Sequence, residues 1–187
     1  AFQQGWLIRK MTIWIYYFSL NSSSISNIFQ NPDDMNEFVN NKISHKNNSS
    51  LIPSSGVDSR LFSHIKFDKS KPQIHFLFLS RMLLDKGLNE LKEAVSLLCE
   101  QTTNFKLTLA GDIDRGNPRS VSEKWMNLSF DYSQCEWIGY QEDIVSLLEK
   151  TDVVVLPSYR EGVPHCLIEA LAASKPIITT NTPGCKE

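Results

Sequence analysis

Residues 153–184, VVVLPSYREGVPHCLIEALAASKPIITTNTPG, hold a complete strand, loop, helix and strand. The run 152–156 is apolar after Asp152 and only five residues long, which suits a strand buried on both faces of a parallel sheet. Pro164 fits the first position of a helix, because its missing N–H would have no partner there. The helix is therefore expected from Pro164 to about residue 174, with Leu167 and its neighbours facing inward, and a second buried strand follows at 176–180. A strand, a crossover helix and a parallel strand make one βαβ unit.

The same alternation extends towards the N-terminus. Short apolar runs at 74–79, 106–110 and 136–138 read as three more strands. Leu88, Leu91, Val95 and Leu98 share one helical face between the first two, and 144–148 behaves similarly. The fold class is α/β, a Rossmann-like doubly wound parallel sheet, with no internal repeat. Earlier in the chain lie an aromatic-rich helix over residues 6–20, whose apolar run 11–20 is too short to span a bilayer and is expected to pack into a core, and a short strand within 25–29. Asn31-Pro32-Asp33-Asp34 marks a helix start, with Asn as N-cap and acids in the first turn. The polar stretch 40–50 reads as a loop or hinge.

Composition narrows the function. At 187 residues, with 41% hydrophobic and 21% charged residues, the chain has material for one core and a fragment of another, with the balance of a packed globular protein. A net charge of −2 without a clustered basic face argues against nucleic acid. The four cysteines form no CxxC pair and the four histidines show no metal-ligand spacing, so reduced thiols in the cytoplasm are expected. The first residue is not methionine and the last follows a strand and turn directly, so the chain is expected to be part of a longer protein.

In a doubly wound sheet, ligands bind beyond the carboxyl ends of the strands. The loops there carry Ser80-Arg81, Gly111-Asp112, Gly139-Tyr140, residues 157–162 and 181–184. Gly162 permits close backbone approach. The N–H groups of His165 and Cys166 stand at the positive end of a helix dipole, and Glu161 and Glu169 flank them as acceptors for hydroxyl groups. His165 and Cys166 are adjacent on a helix and point about 100° apart, which excludes a Cys/His nucleophile pair.

Glu161, seven residues, then Glu169, set within the quoted stretch, strongly resembles the donor-binding signature of the family 4 glycosyltransferases, which have the GT-B fold. Three further strings agree in order and spacing: FLFLSRMLLDKGLNEL (76–91), IPSSGVD (52–58) and FQNPDD (29–34). LAGDIDRGNP (109–118) is similar to the bacterial subgroup that builds lipid-linked precursors of capsule, O-antigen or glycoprotein glycans. The resemblance implies that residues 1–50 are the end of an N-terminal acceptor domain plus hinge, and that 51–187 form the nucleotide-sugar-binding domain, truncated at its C-terminus.

By the same resemblance Arg81 and Lys86 hold the donor diphosphate, Glu169 takes the ribose hydroxyls and Glu161 is the catalytic contact to the transferred sugar. Gly162, Val163, Pro164, His165 and Cys166 line the donor, and Gly139-Tyr140 borders the nucleobase. One departure is Ser80, where the family usually has glycine. The implied reaction is retaining transfer from a nucleotide-sugar, expected to be UDP-linked, to a saccharide or lipid-linked acceptor. It needs no cofactor or metal, because two cations and a helix end face the leaving diphosphate. The acceptor site falls to the missing N-terminal domain, so the isolated fragment is expected to be inactive. Work at the cytoplasmic face of the membrane follows from such acceptors, with residues 6–20 as the peripheral lipid contact if they do not complete a core. Two other readings stand beside it: a nucleotide-sugar epimerase of the same architecture, for which no acid and base pair is visible, and a non-catalytic nucleotide-binding module or remnant.

Overall fold

The computed structural model describes residues 6–22, 24–66 and 72–187. Its centre is a five-stranded, all-parallel sheet of β3 (Ile74–Leu79), β4 (Phe105–Ala110), β5 (Cys135–Trp137), β6 (Val153–Leu156) and β7 (Ile177–Thr179), in the spatial order β5-β4-β3-β6-β7. The long strands β3 and β4 pair over their whole length, from Ile74 opposite Phe105 to Leu79 opposite Ala110. Leu77, Phe78, Leu109, Val154 and Leu156 are buried along the central strands, so both faces are covered, as continuous apolar runs require.

Helices α3 (Leu88–Gln101), α4 (Glu123–Ser129), α5 (Ile144–Lys150) and α6 (His165–Ala172) make the crossovers. Leu88, Leu91 and Val95 are the buried stripe of α3, while Leu98 at its end packs against the core only partly buried. The strand order reverses beside β3: the chain moves outward through β4 and β5, then returns to the other side for β6 and β7. The crossovers from β3 and β6 lead to opposite sides of the sheet there, the position at which such sheets take ligands.

A second, two-stranded parallel sheet joins β1 (Asn27–Phe29) to β2 (Ser49–Leu51), with α2 (Pro32–Asn40) between them. Asn31 caps α2 as expected, accepting from the Asp34 N–H at 2.8 Å, with Pro32 at the first helical position. Strand β2 lies in the polar stretch expected to be a loop: pairing with β1 overrides the weak strand preference of serine. Helix α4, capped by Ser122, was not expected either. Its seven residues bury only Met126 and Ser129, too short a stripe to register as a helical period.

The largest difference concerns α1 (Trp6–Leu20), which forms as expected but does not enter a core. Trp14 is 61% and Phe18 71% exposed, and Ile15, Tyr16 and Tyr17 are exposed as well. Its apolar residues are spread around the helix, so no single face could bury them against this sheet. Among the described residues, no helix is long and apolar enough to cross a membrane.

Candidate active site

The site is assembled from two loops and one helix. After β3 the chain passes Arg81 and forms a single 3₁₀ turn, Leu84–Lys86, which ends on Gly87 in the left-handed region at φ 79°. A Cβ at Gly87 would lie 2.1 Å from the Pro157 carbonyl oxygen, so glycine is what lets the β3 loop rest directly on the β6 loop. Backbone and hydroxyl bonds continue that seam: the Tyr159 N–H and the Ser158 hydroxyl both donate to the Asp85 carbonyl, at 3.0 and 3.2 Å. Lys86 is thereby held over the start of α6.

There the Lys86 Nζ donates to Glu161 Oε1 at 2.5 Å, and the two side chains are only 16% and 13% exposed. Glu169 lies one helical turn beyond His165, whose Nδ1 approaches Glu169 Oε1 at 3.3 Å while its Nε2 meets the Gly56 carbonyl at 3.0 Å. Cys166 sits between these groups. Burial, followed by the charges of Glu161 and Glu169, pushes its thiol up to about 12, and Lys86 opposes the shift. A thiol so placed stays protonated and is no nucleophile at neutral pH, in line with the exclusion drawn from helical geometry. Lys86, Glu161, Cys166 and Glu169 thus share one electrostatic neighbourhood.

Helix α6 begins one residue later than expected. Pro164 is its N-cap, at φ −71° and ψ 118°, and its carbonyl takes the Leu167 and Ile168 N–H groups at 3.1 and 3.4 Å. The N–H groups of His165 and Cys166 precede that first intrahelical bond and remain at the open end of the helix. Gly162 and Val163 form the approach, both partly buried.

Arg81 stands apart from this cluster. It is 59% exposed at the side chain and is turned along the rim to Asp114, NH1 to Oδ2 2.7 Å. Gly139-Tyr140 is fixed to the same β4 loop: the Gly111 N–H donates to the Gly139 carbonyl at 2.7 Å, and the Tyr140 N–H to Asp112 Oδ1 at 3.2 Å, leaving the Tyr140 side chain 64% exposed. Two groups on one rim result, Lys86 with the α6 acids and Arg81 with the β4 and β5 loops.

Sequence reasoning missed what holds Glu161. Its N–H donates to the Pro183 carbonyl at 3.0 Å. Gly184, at φ 82°, presses against the Glu161 carbonyl so closely that a Cβ would come within 2.2 Å of the oxygen. Asn31 donates to the Gly162 and Glu161 carbonyls at 2.9 and 3.2 Å. Arg160 reaches Asp34 and Glu37 on α2, and these acids, Glu37 foremost, raise its pKa further. Only the N-cap role of Asn31 had a local sequence signal.

Comparison with known proteins adds the family. The model for "Glycosyl transferases group 1" matches residues 59–187. The chain is 31% identical over 162 residues to the N,N'-diacetylbacillosaminyl-diphospho-undecaprenol alpha-1,3-N-acetylgalactosaminyltransferase of Campylobacter jejuni subsp. jejuni serotype O:2, covering 81% of this chain and 41% of that protein. It is 30% identical to the capsular polysaccharide biosynthesis glycosyltransferase CapM of Staphylococcus aureus over 57% of this chain and 28% of that one. The chain therefore spans less than half the length of these relatives.

Among solved structures it is similar in fold to Anabaena Alr3699/HepE in complex with UDP and glucose, with a TM-score of 0.76 at 17% identity, over 94% of this chain and 49% of that one. WaaG, a glycosyltransferase involved in lipopolysaccharide biosynthesis, gives a TM-score of 0.76 at 18% identity, over 97% and 53%. The fold is thus half of a GT-B glycosyltransferase.

Proposed function

We propose, because this chain belongs to the glycosyl transferases group 1 family, that it is the donor-binding half of a retaining glycosyltransferase. The enzyme moves a sugar from a nucleoside-diphosphate sugar, UDP-linked, to a saccharide or lipid-linked acceptor in polysaccharide or glycan biosynthesis. The observation that carries this reading is the Lys86–Glu161 pair at the start of α6, set where the strand order reverses, with Glu169 one turn further along the helix. Residues 51–187 act as the donor domain and residues 1–50 as the end of the acceptor domain with its hinge.

The chemistry follows from charge. Breaking the bond between sugar and diphosphate leaves negative charge on the departing oxygens, and groups already aimed at that charge lower the barrier. Lys86 supplies a point charge and Arg81 a planar fork, and the N–H groups of His165 and Cys166 add the helix end. These groups do the work a metal ion would otherwise do, and the reaction proceeds without one. Glu161 then faces the reacting side of the sugar and Glu169 accepts from the ribose hydroxyls. With no second carboxylate placed as a nucleophile, retention comes from departure and attack on the same face. The UDP choice draws on the neighbour solved with UDP, and the lipid-linked acceptor on the undecaprenol named for the Campylobacter relative. Such an acceptor places the work at the cytoplasmic face of the membrane.

Thermal unfolding in the presence of UDP, ADP, GDP and dTDP tests the reading, since a ligand bound only by the folded state raises its stability. UDP at about 100 times its Kd is expected to add about 2.7 kcal/mol. No shift with any of the four would overturn the proposal. The 187-residue chain alone is expected to bind without transferring sugar at an appreciable rate, because it spans less than half the length of the relatives it matches.

A further inference from the structure

The β1-α2-β2 unit is joined to the candidate site through one small seam, and that seam ends on the backbone of Glu161. Asn31 is fully buried, and both halves of its amide are used. Its Oδ1 accepts from the Asp34 N–H at 2.8 Å, which caps α2. Its Nδ2 donates to the Gly162 carbonyl at 2.9 Å and to the Glu161 carbonyl at 3.2 Å, with Asp34 Oδ2 also at 2.9 Å. Arg160, the residue before Glu161, reaches back to the same helix, its Nε 3.1 Å from Asp34 Oδ1 and its NH2 2.5 Å from Glu37 Oε2. A third tie, Lys186 Nζ to Asp33 Oδ2 at 2.7 Å, joins the first turn of α2 to the strand-ending loop that carries Gly184.

The Glu161–Gly162 backbone is therefore held by two different parts of the chain. Pro183 and Gly184, in the loop after β7, contact it from within the donor-side unit. Asn31 and Arg160 tie it to α2. If α2 moves, the residue pair 161–162 loses its one side-chain donor, Asn31, Arg160 loses its hold on Asp34 and Glu37, and the Glu161 carboxylate loses the backbone position that sets it against Lys86.

We propose that Asn31 and Arg160 are positioning residues that make the geometry of Glu161 depend on the docking of α2, so that the donor site is complete only when the β1-α2-β2 unit is seated. This rests on the glycosyltransferase reading for the identity of the ligand. The residue type at 31 is what the device demands: a helix cap needs an acceptor, and two inward carbonyls need a donor. Aspartate caps as well as asparagine but brings a carboxylate up to two carbonyl oxygens, and serine caps without reaching them. Only an amide serves both sides.

The test compares the chain with its Asn31→Asp, Asn31→Ser and Arg160→Gln variants, measuring UDP affinity by calorimetry and amide exchange at Glu161. Arg160→Gln, at a partly exposed side chain, remains usable if changes at buried Asn31 prevent folding. Each variant is expected to weaken UDP binding by about tenfold and to speed Glu161 exchange, while exchange in β3 and β4 stays unchanged. A merely structural contribution would raise exchange throughout the sheet and leave affinity intact well below the melting temperature; that pattern overturns the proposal. UDP binding that is equal in all four proteins, with Glu161 equally protected, overturns it too and leaves the glycosyltransferase reading standing. If the unmodified chain binds no nucleoside diphosphate, that reading fails instead, and Glu161 exchange alone decides: faster in the variants supports the latch, unchanged refutes it.

Discussion

Lys86 and Glu161, 75 residues apart in the chain, meet at 2.5 Å in a setting that leaves each side chain less than one fifth exposed. An ion pair so shielded differs from a surface pair in what its loss does, because the surviving partner cannot regain full hydration. Lys86→Ala strands the Glu161 carboxylate and is expected to cost about 2 kcal/mol of stability, less than a fully buried pair would because some water still reaches it. Lys86→Ala combined with Glu161→Gln should recover part of that loss. Urea unfolding of the two single variants and the double variant measures the coupling, and strictly additive losses would show that the pair contributes nothing.

Arg81 tests the opposite balance. Its partner Asp114 and its own guanidinium are both solvent-accessible, so the pair adds under about 1 kcal/mol to stability. Yet in the proposed function Arg81 swings from Asp114 to the donor diphosphate, where a charge-assisted fork is stronger. Arg81→Ala should therefore leave the unfolding midpoint nearly unchanged and weaken UDP binding by about tenfold, with a shallower dependence on salt. Asp114→Asn should tighten binding, because the competing carboxylate is gone. Calorimetry at two salt concentrations checks both, and an unaltered affinity in Arg81→Ala would remove that residue from the site.

What the sequence carried and what it hid divide along a physical line. Strands β3 to β7 were legible as short, mostly apolar runs, plainest in β6, where Val153–Leu156 is unbroken, and the cap of α2 because Asn31-Pro32 satisfies strictly local demands. Strand β2 was not legible, since Ser49-Ser50 becomes a strand only by pairing with β1. Arg81 and Glu161 could be placed on one rim from the strand ends, Glu169 from the helix that follows, and Lys86 from the family resemblance. The turn of Arg81 towards Asp114, and the second use of Asn31 as a donor to a loop 130 residues away, depend on where α2 and the β4 loop lie in space. No local pattern encodes that. The exposure of α1 was missed for the related reason that an apolar helix does not announce which surface it meets.

The raised thiol of Cys166 predicts a pH dependence whose sign is fixed. In the unfolded chain the group titrates near its ordinary value of 9.0, and in the folded chain burial holds the proton on up to about 12. Between those values the unfolded state binds fewer protons, so folding stability falls as pH rises from about 9 to about 12, at about 1.4 kcal/mol per pH unit for this one group. Below pH 9 it contributes no slope. Cys135, raised to about 12 mainly by burial, adds a slope of the same sign. Denaturant unfolding from pH 8 to 10.5 should show a less steep decline in Cys166→Ala than in the unmodified chain, and parallel curves would mean that the thiol is accessible to water. At pH 8, iodoacetamide should alkylate Cys166 far more slowly than an unfolded control.

Gly184 and Gly56 give a matched comparison for how tightly the Glu161 loop is packed. Both hold left-handed backbones, φ 82° and 73°, so replacing either by alanine carries the same conformational cost of about 1 kcal/mol. They differ in what a methyl group would meet. At Gly56 nothing lies within 4 Å, whereas at Gly184 the Glu161 and Gly162 carbonyl oxygens would be 2.2 and 2.4 Å away. Those oxygens are backbone atoms and cannot rotate aside, so Gly184→Ala must push the 161–162 peptide out of place. The expected losses are about 1 kcal/mol for Gly56→Ala and about 3 kcal/mol for Gly184→Ala, the excess being strain of the kind caused by overfilling a packed site. Because the displaced peptide carries Glu161, Gly184→Ala should also weaken UDP binding while Gly56→Ala leaves it unchanged. Equal losses in the two variants, read from urea midpoints, would mean that the 161–162 turn yields freely where Gly184 meets it.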